Sequence, residues 1–300
     1  VRTVRIAKGL ILLALALGIA CNAAADPLLE ATGLWAVDGD TFVVELAGER
    51  VEIRLMGVDA LETGGCLGHE AFERAQDLVT RTLWLELDPE RGLERRDRNG
   101  RVLAHVFLVP EQTPSALLSA RLVELGLARM DFPDVRDTWA PDHFDIKYAP
   151  WLIAAQIEAA LHRRGWWGEC DRFSGADLAI AAVKHWGDDE VVYIVNRGEA
   201  PIDLARGWRL TSDPPRTQTL DFGRYTRELL LPPGWVLRVH TGPVATGRKA
   251  EICVGEGTID WYWTGRRVWR NGGDEARLLE GDEVVHLYIY PPVFGGEAKE

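Results

Sequence analysis

The stretch Asp38-Gly-Asp40-Thr41-Phe-Val-Val-Glu-Leu46-Ala-Gly-Glu-Arg50-Val-Glu-Ile-Arg54-Leu55 alternates apolar and polar residues on either side of a short polar break. Strands over Thr41–Leu46 and Val51–Leu55, joined by a hairpin loop at Ala47–Arg50, follow from that alternation. In the second strand Val51, Ile53 and Leu55 face one way, so Glu52 and Arg54 face the other, away from the core. Downstream, His69–Leu83 repeats apolar residues at helical spacing through Ala71, Phe72, Ala75, Leu78 and Val79. Trp84–Asp88 and Arg101–Val109 read as strands joined by a charged loop ending in Asn99-Gly100, a turn signal. Ser115–Leu125, stopped by Gly126, and Lys147–Arg164, stopped by Gly165, read as two further helices. Short strands with interspersed helices predict a small five-stranded barrel.

Near Ser174 the pattern changes. Val191–Val195, Trp208–Leu210, Trp235–His240, Ala276–Leu279 and Val284–Tyr290 are short apolar runs separated by Gly, Pro, Asn and Asp clusters, which predicts an all-β sandwich. The chain is therefore mainly β with two domains, over residues 30–172 and 180–292. Ahead of them, Arg2, Arg5 and Lys8 precede an apolar run from Gly9 to Ala20 and small residues through Ala25. This describes a signal peptide over residues 1–25, and the run is too short to span a bilayer, so no transmembrane helix is expected in the mature chain. Ala23-Ala-Ala25 suits ordinary cleavage, whereas Ala20-Cys21 resembles a lipoprotein box and makes Cys21 a candidate lipid anchor. The expected location is secreted, periplasmic or in the cell envelope.

Export makes the cysteines candidates for a disulfide. Cys66 and Cys170 bracket the first domain, and a bridge between them would contribute on the order of 4 kcal/mol by closing a long loop. Cys253 is left over and is expected as a buried strand residue. With no CxxC and no close Cys/His pair, a structural zinc site is not expected. The 300 residues carry 47% hydrophobic residues and 12 tryptophans, enough for packed cores, and a net charge of -12. In residues 27–172, Asp and Glu outnumber Lys and Arg 26 to 16. That acidity argues against holding a polyanion on a broad basic face.

The charged residues make most sense together. Asp38-Gly-Asp40-Thr41, Arg54–Glu62 and Asp97–Arg101 together hold two carboxylates suited to a hard cation, one suited to a general base, and two arginines suited to clamp a phosphate. These are the parts needed to hydrolyse a phosphodiester. Taken singly each has a plainer reading: Asp38-Gly-Asp40 as a turn, Arg54 or Glu62 as a solvated charge, Asp97–Arg101 as a hairpin tip. Seven scattered histidines form no HExxH, and there is no GxSxG elbow or glycine-rich phosphate loop. Trp166-Trp167 reads as core closure or, less simply, as a base-stacking platform.

In order and spacing, Asp38-Gly-Asp40-Thr41, then Arg54 with Asp59 and Glu62, then Asp97-x-x-Gly100-Arg101 resembles the staphylococcal nuclease (thermonuclease) family over about residues 33–168, closing at Arg164-Gly-Trp-Trp-Gly168. The resemblance implies an OB-type five-stranded barrel with three helices. It makes Asp40, Asp59 and the backbone carbonyl of Ala60 ligands of Ca2+, Glu62 the residue that activates water, and Arg54 and Arg101 the grip on the scissile phosphate. It also implies cleavage of the 5′-side P–O bond of DNA and RNA, leaving 3′-phosphates, with limited sequence preference. The acidic domain favours single-stranded substrates. Where the family has Thr-Pro before its Glu, this chain has Ala60-Leu61, which removes a proline from the loop that aims Glu62.

The second half resembles the lamin-tail family, an immunoglobulin-like sandwich. The carriers are Val192–Leu204, Gly207-Trp208-Arg-Leu210, Leu231-Pro-Pro-Gly234-Trp-Val-Leu237 and Trp269-Arg-Asn271-Gly-Gly-Asp274. The pattern leaves its ligand unknown. Trp261-Tyr-Trp263 with Arg266 and Arg267 reads either as an exposed aromatic and basic surface or as a loop tucked over the sandwich edge. The expected molecule is an exported nuclease with an accessory domain; the alternative is a noncatalytic nucleic-acid or protein binding module of the envelope.

Overall fold

The computed structural model describes residues 28–132, 143–213 and 217–292. The expected leader, with Cys21, lies outside them. The fold is mainly β. Strands β1 (Leu29–Ala36), β2 (Thr41–Leu46), β3 (Glu49–Leu55), β5 (Thr82–Leu87) and β6 (Val102–Phe107) close into a barrel in the order β1-β2-β3-β6-β5. The β3–β6 pairing is parallel and the others antiparallel. Alternation fixes the faces: Phe42, Val44, Ile53 and Leu55 fill the interior, while Glu45, Glu52 and Arg54 point outward. A two-stranded ladder, β4 (Val58–Ala60) with β7 (Ala128–Met130), lies beside the barrel.

Three helices pack on this frame: α1 (Gly68–Val79), α2 (Leu118–Glu124) and α3 (Ala149–Leu161), followed by the single turn α4 (Trp166–Glu169). Helix α1 is shorter than its periodicity predicts, because Leu83 belongs to β5 and fills the barrel core. Two glycines let α2 and α4 meet. Gly126 has φ +72, and a Cβ there would lie 2.1 Å from the carbonyl oxygen of Arg164; Gly165 has φ +49 and faces the Gly126 backbone. Trp166 N–H then donates to the Gly126 carbonyl at 2.9 Å.

The C-terminal half holds β8 (Leu178–Lys184), β9 (Glu190–Asn196), β10 (Ile202–Asp203), β11 (Trp208–Thr211), β12 (Thr219–Asp221), β13 (Leu230–Leu231), β14 (Val236–Thr241), β15 (Ile252–Val254), β16 (Thr258–Thr264), β17 (Asp274–Glu280) and β18 (Glu283–Tyr290). A five-stranded sheet, β15-β16-β14-β9-β8, and a four-stranded sheet, β12-β11-β17-β18, share one core through Ile180, Ile194, Leu210, Trp261, Leu278 and Tyr288. Trp261, Tyr262 and Trp263 are buried in β16, so they form neither an exposed aromatic surface nor a loop. Cys253 corrects its expectation too. It is a strand residue but exposed, because β15 is a short edge strand.

The two halves bond directly. Gln156 of α3, fully buried, accepts from Met130 N at 2.8 Å and donates to Ala181 O at 2.7 Å and Tyr288 Oη at 2.9 Å. The Arg129 guanidinium sits 4.3 Å from the Tyr288 ring centre and donates to Ile289 O at 3.2 Å.

Candidate active site

Asp40 stands at the entrance to β2. The preceding turn is closed by Val37 N–H and Asp38 N–H donating to Thr41 O at 2.7 and 3.2 Å, and the Asp38 carboxylate accepts from Asp40 N at 3.0 Å. The backbone is joined to the next strand by Leu55 N–H donating to Asp40 O at 2.9 Å. The Asp40 side chain is buried. Its Oδ2 accepts from Ala60 N at 2.7 Å and lies 3.0 Å from Arg54 Nη1, while Oδ1 accepts from Thr41 Oγ1 at 3.2 Å.

Arg54 reaches this carboxylate because it pairs in register with Thr41 and points out of the barrel. Its Nη1 donates to the carbonyls of Leu55 and Val58 at 2.9 and 2.7 Å, and its Nη2 donates to Asp59 Oδ1 at 3.0 Å. Arg101, just before β6, donates through Nε to Asp97 Oδ2 at 2.7 Å and through Nη1 to Thr41 Oγ1 at 2.9 Å. Asp59, Arg54, Asp40, Thr41, Arg101 and Asp97 thus form one unbroken chain of contacts. Glu62 follows β4 with its side chain exposed, close enough for its charge to act on Asp59.

The electrostatics are those of crowded carboxylates. Burial pushes Asp40 up to about 7; Arg54 and the Ala60 N–H oppose the rise, while the charges of Asp38 and Asp59 add to it. Asp59 is also raised, first by burial, with Arg54 opposing and Glu62 and Asp38 reinforcing. At Asp97 burial acts upward, but hydrogen bonds from the Arg101 side chain and from backbone N–H groups outweigh it and hold the carboxyl below its ordinary range. Arg101 is therefore largely matched by Asp97, leaving Arg54, with Arg129 acting at Asp59, to face Asp38, Asp40, Asp59 and Glu62.

That imbalance and the donor chemistry suit a hard cation. Asp40, Asp59 and the Ala60 carbonyl offer oxygen only, and a divalent ion would offset the burial and the mutual repulsion that raise both carboxylates. Among the described residues no cluster of three or more His, Cys, Asp or Glu side chains is placed to ligate a metal.

Three features escape the sequence reading. Thr41 supplies the hydroxyl that links Asp40 to Arg101. Arg129 pairs in register with Asp59, lowers its pKa through charge, and is buried against Trp166 at 4.8 Å. Leu61, standing where the family pattern has proline, is buried and donates its N–H to Leu127 O at 3.1 Å, a bond proline could not make. Trp167 is fully buried and belongs to the core, while Trp166 is half-buried and packs against it with Arg129 over its ring.

Comparison with known proteins agrees with this geometry. Residues 52–169 match the staphylococcal nuclease homologue family, a span that includes Arg54, Asp59, Glu62 and Arg101. The chain is 30% identical over 138 residues to the thermonuclease of Staphylococcus hyicus, covering 44% of this chain and 71% of that protein. It is 33% identical over 115 residues to endonuclease YncB of Bacillus subtilis (strain 168), covering 36% of this chain and 51% of the relative. A third relative, the SPbeta prophage-derived endonuclease YokF of the same strain, is 33% identical over 115 residues, 36% of each chain. The chain thus spans about half the length of YncB and about a third of YokF. With the barrel, the arginine and carboxylate constellation and the similarity to thermonuclease in agreement, this chain belongs to the staphylococcal nuclease homologue family.

Proposed function

We propose that this protein is an exported, calcium-dependent nuclease that hydrolyses phosphodiester bonds of DNA and RNA with little sequence preference, leaving 3′-phosphates. The observation that carries the reading is the continuous contact chain from Asp59 through Arg54, Asp40 and Thr41 to Arg101. It brings two guanidinium groups and two carboxylates from four separate segments to one place. Arg54 and Arg101 bind the scissile phosphate bidentately and stabilise the charge that grows on it in the transition state. To do so they exchange part of their carboxylate contacts for phosphate oxygens. Glu62, exposed beside Asp59, takes the proton from the attacking water. Asp40, Asp59 and the Ala60 carbonyl would hold Ca2+, which supplies polarisation of a phosphoryl oxygen.

The C-terminal sandwich is read as a lamin-tail domain of immunoglobulin-like type that holds an unidentified ligand, with no catalytic part. Export is supported by the leader-like composition of residues 1–25 and the Cys66–Cys170 disulfide. The first test is release of acid-soluble nucleotides from denatured DNA with calcium, set against EDTA and Glu62→Gln. Loss of at least a hundredfold in both controls is the expected result. Folded protein that turns over no DNA or RNA across calcium and pH would instead identify a noncatalytic binding module.

A further inference from the structure

We propose that the Cys66–Cys170 disulfide positions Glu62, so that the nuclease reaches full rate only when oxidised. This rests on the nuclease reading above. The bridge joins residues 104 apart, with 5.8 Å between their Cα atoms. Its place relative to Glu62 decides what it does.

On one side Glu62 is preceded by a firmly held residue, since Leu61 is buried against Ala71 and Leu127 and hydrogen-bonded to Leu127 O. On the other side the chain turns through Glu62–Cys66, exposed throughout, before entering α1. The hydrogen bonds in this turn are local: Gly65 N–H donates to Glu62 O at 2.8 Å and Gly68 N–H to Gly65 O at 3.2 Å. Among the described residues, the disulfide is the one covalent or hydrogen-bonded tie from residues 62–66 to a distant segment. The turn is also wound tightly against the helix start, because a Cβ on Gly68 would lie 1.7 Å from the Glu62 carbonyl oxygen. A displacement at Cys66 therefore passes directly to the Glu62 backbone.

The other end of the bridge is a fixed point. Cys170 ends α4, where its N–H donates to Trp166 O at 3.0 Å, and α4 is held by Trp166 N–H on Gly126 O and by the fully buried Trp167. The bridge thus ties an exposed turn to a firmly held segment and limits how far the Glu62 carboxylate swings from the attacking water. Such aim matters because a shift of about 1 Å in a catalytic group costs about a hundredfold in rate. The metal and phosphate groups are held otherwise, by strands β2, β3 and β4 and by the arginine network, and do not depend on the turn.

Cys66 is exposed and so open to exchange. On oxidation the two thiols lose two protons and two electrons to a disulfide oxidant, which leaves as two thiols; a dithiol reverses the exchange. The chain is consequently slow in a reducing cytosol and gains its rate in an oxidising compartment, which spares the nucleic acid of the cell that makes it.

The experiment compares oxidised protein with protein reduced by a phosphine and alkylated, following denatured-DNA hydrolysis, calcium binding by titration calorimetry and folding by circular dichroism. The expected result is a fall in kcat of about tenfold to a hundredfold on reduction. KM, calcium affinity and the fold should stay unchanged. In a Glu62→Gln background, reduction should leave the residual rate unaltered, because the bridge acts through that side chain. Unchanged kcat, unfolding of the reduced protein, a matching loss of calcium affinity, or a further drop in Glu62→Gln would each overturn the proposal. Absence of turnover in the oxidised wild type would overturn the nuclease reading itself.

Discussion

Arg54 shows how one side chain organises the site. Its two terminal nitrogens each hold a different carboxylate at 3.0 Å, a task for a planar fork that a lysine ammonium cannot repeat. Arg54→Lys should keep the charge yet lower kcat/KM on denatured DNA by a hundredfold or more, at a cost of about 1–2 kcal/mol in urea unfolding. An unchanged rate would mean the fork does not touch phosphate. The outward direction of Arg54 was legible from strand alternation, and the acidic partners from their spacing. That the arginine already bridges Asp40 and Asp59 was not legible, since it depends on β4 being brought to Asp40 and to the Arg54 side chain. A second residue-scale case is His240, whose Nδ1 lies 2.8 Å from Asp189 Oδ1 and whose Nε2 lies 2.9 Å from Asp260 Oδ1. Burial acts to lower its pKa, but the two carboxylates outweigh burial and raise it above 6.5. A raised folded value means that the charged histidine stabilises fully below the unfolded pKa of about 6.5 and loses this as pH rises through the folded value. Urea midpoints measured from pH 5 to 9 should therefore show a wild-type decline on the alkaline side that His240→Gln lacks, with the variant about 2 kcal/mol weaker at pH 5.5.

At the scale of elements, strand periodicity was the dependable signal and helix ends the weaker one. β2 and β3 could be read because their apolar residues alternate against a solvated face. β8 could not: Leu-Ala-Ile-Ala-Ala-Val, residues 178–183, is buried on both faces and has no alternation to read. The same holds for Trp261-Tyr-Trp263, whose aromatic run beside two arginines imitates an exposed binding surface while lying inside β16. Helix α1 ended early because apolar spacing at Leu83 served a strand equally well. The join of α2 to α4 brings backbone against backbone, with Gly126 in the left-handed region and its Cα against the Arg164 carbonyl. Gly126→Ala should cost about 3 kcal/mol, from the left-handed backbone and from the atom that has no room. Thermal unfolding followed by tryptophan fluorescence measures it, and a loss below 1 kcal/mol would show that α4 moves aside freely.

On the proposed nuclease reading, the whole molecule poses the question of how so acidic a chain, at a net charge of -12, would hold a polyanion. The contacts suggest an answer, because cationic charge at the candidate site is concentrated on Arg54 and Arg101 rather than spread over a face. Long-range attraction is then small or repulsive, and binding relies on two phosphate contacts and the cation. Counterion release makes this measurable. For a single strand the slope of log K against log salt is about -0.7 for each phosphate neutralised, so two contacts give about -1.4. Raising salt from 50 to 200 mM at fixed calcium should then weaken kcat/KM on denatured DNA by only about sevenfold, whereas a basic face making six to ten contacts loses about a thousandfold or more. Intact duplex should be cut more slowly than the same DNA after melting, because a stiff rod must bring its other phosphates against acidic surface while a single strand can bend them away. A steep salt dependence, or faster cutting of duplex than of single strand, would place a further basic contact surface on the protein and end the two-arginine account of how it holds its substrate.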